Sequence, residues 1–245
     1  MNCDSRRIAL APAYVLHHRP YRDTSRILEV YSRDHGRLTL FARGARGPRS
    51  RLAPLLQPFQ ALLLSWSGRG EAPSLTGAEA PGRAPAMPAD RLMAGYYLNE
   101  LLLKLTTRHD PAADLYDDYD QAIARLKSRA AIEATLRVFE KRLLDHLGYG
   151  VNLREEAAGG RPVRAAAYYY FRPTHGLTPT VADAVGAYAG RSLLSLAAER
   201  LDDERALDDA RRLLRSVLEH CLEGQELATR VVARAMLRRK ERGAS

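Results

Sequence analysis

The sequence predicts an α+β protein: an N-terminal five-stranded OB-type β-barrel followed by a mainly α-helical domain with a small β-hairpin insertion. Three observations carry this. Five short stretches inside the first 80 positions alternate apolar and polar residues, with turn residues between them. Residues 81–89 then gather proline, glycine and alanine, the composition of a linker. From Asp90 the apolar residues recur at helical intervals. The expected domains are residues 1–80, a linker at 81–89, and a helical domain at 90–245 with an irregular insertion around 151–179.

Residues 1–7 are expected to be loose. Strand one is expected from Ala13 to Arg19, followed by a turn at Tyr21–Ser25 and strand two from Arg26 to Arg33. Asp34-His35-Gly36 makes a short hairpin connection, with Gly36 suited to a positive φ. Strand three runs from Arg37 to Ala42, with Leu38, Leu40 and Ala42 on one face and Thr39 and Phe41 on the other. Strand four spans Gln60 to Ser65 and ends at Trp66. Strand five spans Ala72 to Ala80, and Pro73 inside it suggests a sheet edge. Five short strands match a small closed barrel; an SH3-like barrel competes with the OB form on strand count alone.

Asp90 is expected to cap the first helix, whose stripe is Leu92, Tyr96, Leu98, Leu101, Leu102 and Leu105. Asp110 and Pro111 are expected at the cap and first turn of the second, lined by Leu115, Tyr119, Ile123 and Leu126. The third runs from Ala130 to Leu147 and ends on Gly148 as a left-handed cap. Tyr168 to Phe171 forms a hairpin strand closing near Thr174-His175-Gly176. Short helices are expected at Val181–Tyr188 and Leu193–Glu199, a long one at Glu204–Leu222, and a last one at Leu227–Arg239. That last helix is expected to turn Leu227, Val231, Val232, Ala235 and Met236 inward. It ends in Arg238, Arg239 and Lys240, favourable against its dipole.

The 245 residues carry a formal charge of +9 and a sequence pI near 9.8. That balance favours nucleic acid, an anionic membrane or an acidic protein tail as partner. No apolar run approaches the roughly 20 residues of a membrane helix, so no membrane is expected. Cys3 and Cys221 make no metal spacing and no disulfide framework. The expectation is a soluble cytoplasmic protein associated with the nucleoid.

The stretch after strand three holds arginine at 43, 46, 49 and 51, punctuated by Gly44 and Gly47, with no acid among them. Guanidinium forks fit phosphate oxygens, so this loop is a candidate grip on a nucleic-acid backbone. Arg19, Arg22 and Arg26 cluster at the first turn, with Arg37 and Arg69 as further candidates. Tyr21 and Trp66 are the stacking candidates beside these cations, whereas Tyr31, Phe41 and Phe59 suit the core. The expected DNA-binding set is Arg19, Tyr21, Arg22, Arg37, Arg43, Arg46, Arg49, Arg51, Trp66 and Arg69. Arg137, Lys141 and Arg142 flank the apolar stripe of the third helix, where a cation beside an apolar groove can receive an acidic peptide tail. Asp117, Asp118 and Asp120 form an acidic patch, but neighbouring positions on a helix diverge, unlike a two-metal nuclease site. No catalytic residue, metal ligand or cofactor is assigned. A metal-dependent nuclease and an adaptor without direct DNA binding stay as alternatives.

Several segments together resemble the RecO recombination-mediator family of bacterial DNA repair. They include Tyr14-Val15-Leu16-His17 with Arg19-Pro20, Asp23-Thr24-Ser25, Gly36-Arg37-Leu38 and Ala42-Arg43-Gly44-Ala45-Arg46. Leu56-Gln57-Pro58-Phe59, Gly68-Arg69-Gly70-Glu71 and Tyr97-Leu98-Asn99-Glu100-Leu101 continue the match. Leu136-Arg137-Val138-Phe139-Glu140 and the run from Leu144 to Val151 complete it. The resemblance covers most of residues 8–153. It implies an OB barrel before a helical domain, binding of single- and double-stranded DNA, and annealing of complementary strands. It also implies work with RecR and loading of RecA on DNA coated by the single-strand-binding protein SSB, through the acidic SSB C-terminal tail. Arg137 matches the family's Leu-Arg-x-Phe-Glu segment and is the expected partner of the tail carboxylate. Many relatives carry a four-cysteine zinc site after the Leu-Gly-Tyr segment. Here residues 152–160 hold no cysteine, so no structural zinc is expected and the hairpin must hold itself by packing.

Overall fold

The computed structural model describes residues 7–82 and 85–243. The looseness expected of residues 1–6, the Cys3 thiol and the linker positions Arg83 and Ala84 lie outside the described residues, as do the side chains of Arg238, Arg239 and Lys240. The chain divides into two compact units: Met1–Ser128 with Val232–Ser245, and Arg129–Val231.

The first unit is built on β1 (Arg7–Tyr21), β2 (Ser25–Ser32), β3 (Gly36–Ala42), β4 (Ala61–Ser67) and β5 (Ser74–Glu79). They close into a barrel in the order β1-β2-β3-β5-β4, the five-stranded closure of an OB fold. The β3–β5 junction is narrow: a single parallel pairing, Phe41 with Ser74. β1 reaches back to Arg7, six residues before its expected start at Ala13, because it serves two partners. Its first half pairs with β4 and its second half with β2. Bulges at Ile8/Ala11 and Val15/His17 shift the pleat, which hides the alternation from a sequence reading. Pro73 stands just before β5, and its carbonyl accepts the Phe41 N–H at 2.9 Å. β5 therefore sits between β3 and β4, and the edge expected from Pro73 is not there. Gly36 takes a φ of +64° in the hairpin connection, packed against the backbone of Asp110, so a side chain there would meet both strain and a clash.

Alternation turns Val15, Leu28, Val30, Leu38, Leu40, Leu62, Leu64 and Trp66 into the barrel core. Each large apolar side chain so buried contributes about 1.5–3 kcal/mol. A second layer lies outside the barrel wall. Tyr14 and Tyr31, on β1 and β2, are buried against Tyr116 and Tyr119 with ring centroids 5.0–6.5 Å apart. Those partners belong to α2 (Ala113–Lys127), which follows α1 (Leu92–Leu105). The Tyr14 hydroxyl donates to Asp120. Tyr119 donates to Asn99 Oδ1 at 2.6 Å, and Asn99 Nδ2 donates to the Leu16 carbonyl at 2.8 Å. Both helices are thereby fastened to β1 through buried, satisfied polar groups. Burial pushes the phenols of Tyr14, Tyr31, Tyr116 and Tyr119 up from their usual range, so they stay neutral.

Two expected caps fail. Asp90 lies in a 3-10 turn, Ala89–Arg91, and makes no cap bond to α1. Asp110 and Pro111 precede α2, whose N-cap is Ala112. The segment before α2 is instead drawn onto β3, where the His109 N–H donates to the Arg37 carbonyl at 2.9 Å.

The second unit contains α3 (Ile132–His146), a three-stranded sheet of β6 (Tyr168–Arg172), β7 (Gly176–Thr180) and β8 (Tyr188–Ala189), then α4 (Gly190–Ala197) and α5 (Glu204–Cys221). The expected hairpin is β6–β7. The helix expected at Val181–Tyr188 is absent: turns lead into β8, which takes the other side of β6. A φ of +83° at Gly186 is incompatible with a continuing helix. Asp203 caps α5 by accepting the Ala206 N–H at 3.0 Å, as the acidic helix entrance suggests. The stretch 152–163 is held by backbone bonds, Glu156 to Arg161 and Val163 to Arg154, over the buried Leu153, Val163, Tyr169 and Leu177. A last helix, α6 (Ala228–Gly243), leaves Val231, Val232 and Met236 exposed, against the inward face expected of them. No helix among the described residues is long and apolar enough to cross a membrane.

Candidate nucleic-acid interface

The exposed cations and aromatics of the barrel meet at the β1–β2 turn. Tyr21, the last residue of β1, is 38% exposed and stacks edge-on against Phe41 of β3 at 5.5 Å. Phe41 points outward because Leu40 and Ala42 point in. The core role expected of it is therefore half right: its ring covers the outer wall and leaves one side open. The Arg22 guanidinium lies 5.4 Å from the Tyr21 ring centroid. Together these give an open aromatic face with a cation beside it, the combination that stacks a base and holds its phosphate.

The basic loop is tied to this turn. The Arg46 N–H donates to the Thr24 carbonyl at 2.7 Å, and its guanidinium donates to the Arg22 carbonyl at 3.4 Å. Successive turns, Gly47 to Gly44 and Ser50 to Gly47, give the loop a defined path. Arg43, Arg46, Arg49 and Arg51 are exposed, and Arg43, Arg49 and Arg51 make no ion pair among the described residues. Arg19 is exposed near the end of β1, and Arg26 reaches the Leu56 carbonyl at 3.5 Å.

Three expected members lie elsewhere. Arg37 donates twice to the Thr106 carbonyl, at 2.8 and 3.2 Å, and sits 3.8 Å from Glu29. Burial, with Arg108 nearby, lowers its pKa against the pull of Glu29. It fastens the α1–α2 connection to β3 instead of offering its fork outward. Trp66 is 4% exposed, part of the barrel core, so it has no open face for a base. Its edge and Arg69 line a separate groove with Arg7, His35 and His109, three residues that sequence reasoning passed over. They come from distant segments, Arg7 on β1, His35 in the β2–β3 turn and His109 before α2, and tertiary folding brings them together.

The cations of α3 are internally engaged. Arg137 is 7% exposed and donates to Glu140, itself fully buried, at 2.6 Å. That geometry overturns Arg137 as an open receptor for a carboxylate tail. Lys141 bridges Asp145 at 3.0 Å and Glu199 at 3.3 Å, and Arg142 grips Glu199 at 2.6 Å. Burial opposes the ammonium of Lys141, but the two carboxylates together raise its pKa. Burial likewise opposes the Glu199 charge, but Arg142 and Lys141 hold its carboxyl below the usual range.

The acidic patch of α2 is also structural. Asp117 accepts two bonds from Arg33, at 2.9 and 2.8 Å, and that guanidinium lowers its pKa. Asp120 receives the Tyr14 hydroxyl. Among the described residues no group of three or more His, Cys, Asp or Glu is placed to hold a metal.

Residues 7–81 match the family model for the N-terminal part of recombination protein O, and residues 89–230 match that for its C-terminal part. The DNA repair protein RecO of Methylococcus capsulatus is 40% identical over 232 residues, covering 95% of this chain and 96% of that protein. The RecO of Nitrosococcus oceani is 41% identical over 226 residues, 91% of this chain and 92% of its own length. That of Coxiella burnetii is 39% identical over 227 residues, 92% and 98%.

Proposed function

The chain belongs to the RecO family of DNA repair proteins, and from that premise we propose a non-enzymatic mediator that binds single- and double-stranded DNA through its barrel and anneals complementary strands. The observation that carries this reading is the Tyr21–Phe41 pair with Arg22 over its ring and the Arg46 loop tied to the same turn, Arg43 standing exposed two residues after Phe41. Guanidinium groups on the phosphates lower the repulsion between two strands while base edges stay free to pair. A stacked ring holds one base open and is indifferent to its identity.

RecR and the acidic SSB tail are proposed as partners, with help in loading RecA as the outcome. For the tail, Lys141 and Arg142 remain the receptors in this reading. A tail carboxylate has to take the place of Glu199 on Arg142, so docking is an exchange of acids. Arg137 is taken up by Glu140 on the same helix and is left out of this receptor.

The test is oligonucleotide binding across a salt series, wild type against Arg43→Glu/Arg46→Glu. The double variant is expected to lose at least about tenfold in affinity, with the log–log salt slope flattened by about 1.4, two single-strand contacts at about 0.7 each. An unchanged slope removes the loop from the interface. Tail-peptide binding without any affinity for bare DNA would turn the reading into an adaptor.

A further inference from the structure

A groove of about 500 Å³ lies within the second unit, where the chain leaving α3 meets the β6–β7 hairpin and α5. Its lining includes Tyr149, Glu155, Glu156, Phe171, Leu177 and His220, and no lysine or arginine. On a chain of net charge +9 that is a local reversal of sign. The walls are fixed by hydrogen bonds. Gly148 turns the chain out of α3 at a φ of +79°, and the Tyr149 N–H donates to the Leu144 carbonyl at 2.9 Å. The Glu156 N–H donates to the Arg161 carbonyl and the Ala157 N–H to the Leu177 carbonyl, both at 2.8 Å. The Glu155 carboxylate accepts from Asn152 Nδ2 at 3.0 Å.

Glu156 is the telling member. Its side chain is 6% exposed, and among the described residues its carboxylate accepts no hydrogen bond. The Arg161 guanidinium makes a long ion pair at 3.8 Å, too far for a hydrogen bond, and is 80% exposed, so water screens it. A carboxylate this far withdrawn from water is costly unless donors take up its lone pairs. Glu156 lines the groove, so a donor entering there reaches it. On the same lining the Tyr149 side chain stands 51% exposed. An apolar group would leave Glu156 unpaired, and an anion would meet two carboxylates. A metal ion needs a tighter set of ligands, and among the described residues no group of three or more His, Cys, Asp or Glu is placed to hold one. An ammonium is a compact, strongly hydrated point charge. A guanidinium is weakly hydrated, forks onto a carboxylate and stacks on an aromatic face, so it matches both Glu156 and Tyr149. On an arginine, a long stem reaches the recessed acid, while Pro173, exposed at the groove, offers area to the backbone that carries it.

We infer that this groove receives an arginine side chain presented by a basic segment of a partner protein. The inference does not rest on the strand-binding reading, because Tyr21 and Phe41 belong to the other compact unit. The test titrates blocked tripeptides into the full chain: acetyl-Gly-Arg-Gly-amide and its counterparts with lysine or citrulline, the uncharged isostere. Binding is followed by the amide NMR signals of Gly148, Gly150 and Gly160, which line the groove. The arginine peptide is expected to bind about tenfold tighter than the citrulline peptide, with lysine between them. Glu156→Gln is expected to abolish that preference. Tyr149→Ala, made at a half-exposed ring, is expected to weaken the arginine peptide about two- to fivefold, and it keeps the test open should Glu156→Gln fail to fold. Both variants should hold a single-stranded oligonucleotide within about twofold of wild type. Equal binding of the arginine and citrulline peptides, a preference that survives Glu156→Gln, or an arginine peptide indifferent to Tyr149→Ala overturns the site. Propylguanidine, the bare side chain, checks the source: weaker binding than the peptide supports a protein segment, and equal binding replaces it with a free guanidine. A concentration-dependent dimer that Glu156→Gln dissolves would overturn the partner protein in favour of a second copy of this chain.

Discussion

Two sets of basic residues, similar in the sequence, meet opposite fates. Around the basic loop, Arg43, Arg49 and Arg51 stand exposed without an ion pair among the described residues. Along α3, Arg137, Lys141 and Arg142 are each matched to a carboxylate, Glu140, Asp145 or Glu199. A helix supplies acids at three and four positions away, and packed neighbours supply more. The loop, with no acid from 43 to 51, has none to supply. Formal charge therefore says little about availability. What counts is whether the chain already contains the counter-ion.

The contrast can be broken first at Arg137. Removing it leaves the buried Glu140 without its guanidinium, so Arg137→Ala is expected to destabilise the protein by about 3–5 kcal/mol in urea unfolding. The double change Arg137→Met/Glu140→Leu should recover most of that loss. If the single variant is as stable as wild type, α3 is not organised by this pair. At the loop end the expected signature is the reverse. Tyr21→Ala should weaken single-strand binding by about 1–3 kcal/mol with little change in stability, since its ring is exposed. A large fall in melting temperature would instead make Tyr21 a packing residue.

Smaller effects sharpen the same difference. Burial works against the Glu199 charge, but Arg142 and Lys141 hold its carboxyl below the usual carboxylate range. Its contribution is full above that range and fades as pH falls through the lower value of the folded state. Glu199→Gln should therefore be less stable than wild type at neutral pH, with the gap closing in acid. The same variant should bind an acidic tail peptide more tightly, because Arg142 is released. Smallest of all, Arg33→Ala removes a solvent-exposed pair with Asp117 and should leave the melting curve unmoved.

Much of the barrel was legible. Strand three reads directly, because its alternation is unbroken from Leu38 to Ala42. The sequence shows only part of β1, because two bulges break the phase that identifies a strand. The local cap signal at Asp110 yields to a long-range contact, the bond from His109 to Arg37, and Asp90 is taken into the 3-10 turn ahead of α1. At the candidate site, composition and turn chemistry point to Tyr21 and the arginines of the loop, and the structure leaves these exposed. Trp66 could not be placed, since a residue at a strand end reads alike whether its ring turns in or out. Arg7, His35 and His109 carry no sequence signal as a group; they are neighbours only through tertiary closure.

The tyrosine layer on the outer wall of the barrel has a consequence for dissecting the protein. Cutting at the linker near residue 81 would strip α1 and α2 from Tyr14 and Tyr31, opening two large rings and the Leu16 carbonyl to water. Such a fragment is expected to be sticky and prone to self-association. A cut after Ser128 keeps that aromatic seam sealed, so proteases acting on the native chain should spare the proline-rich connection's downstream neighbours in α1 and α2.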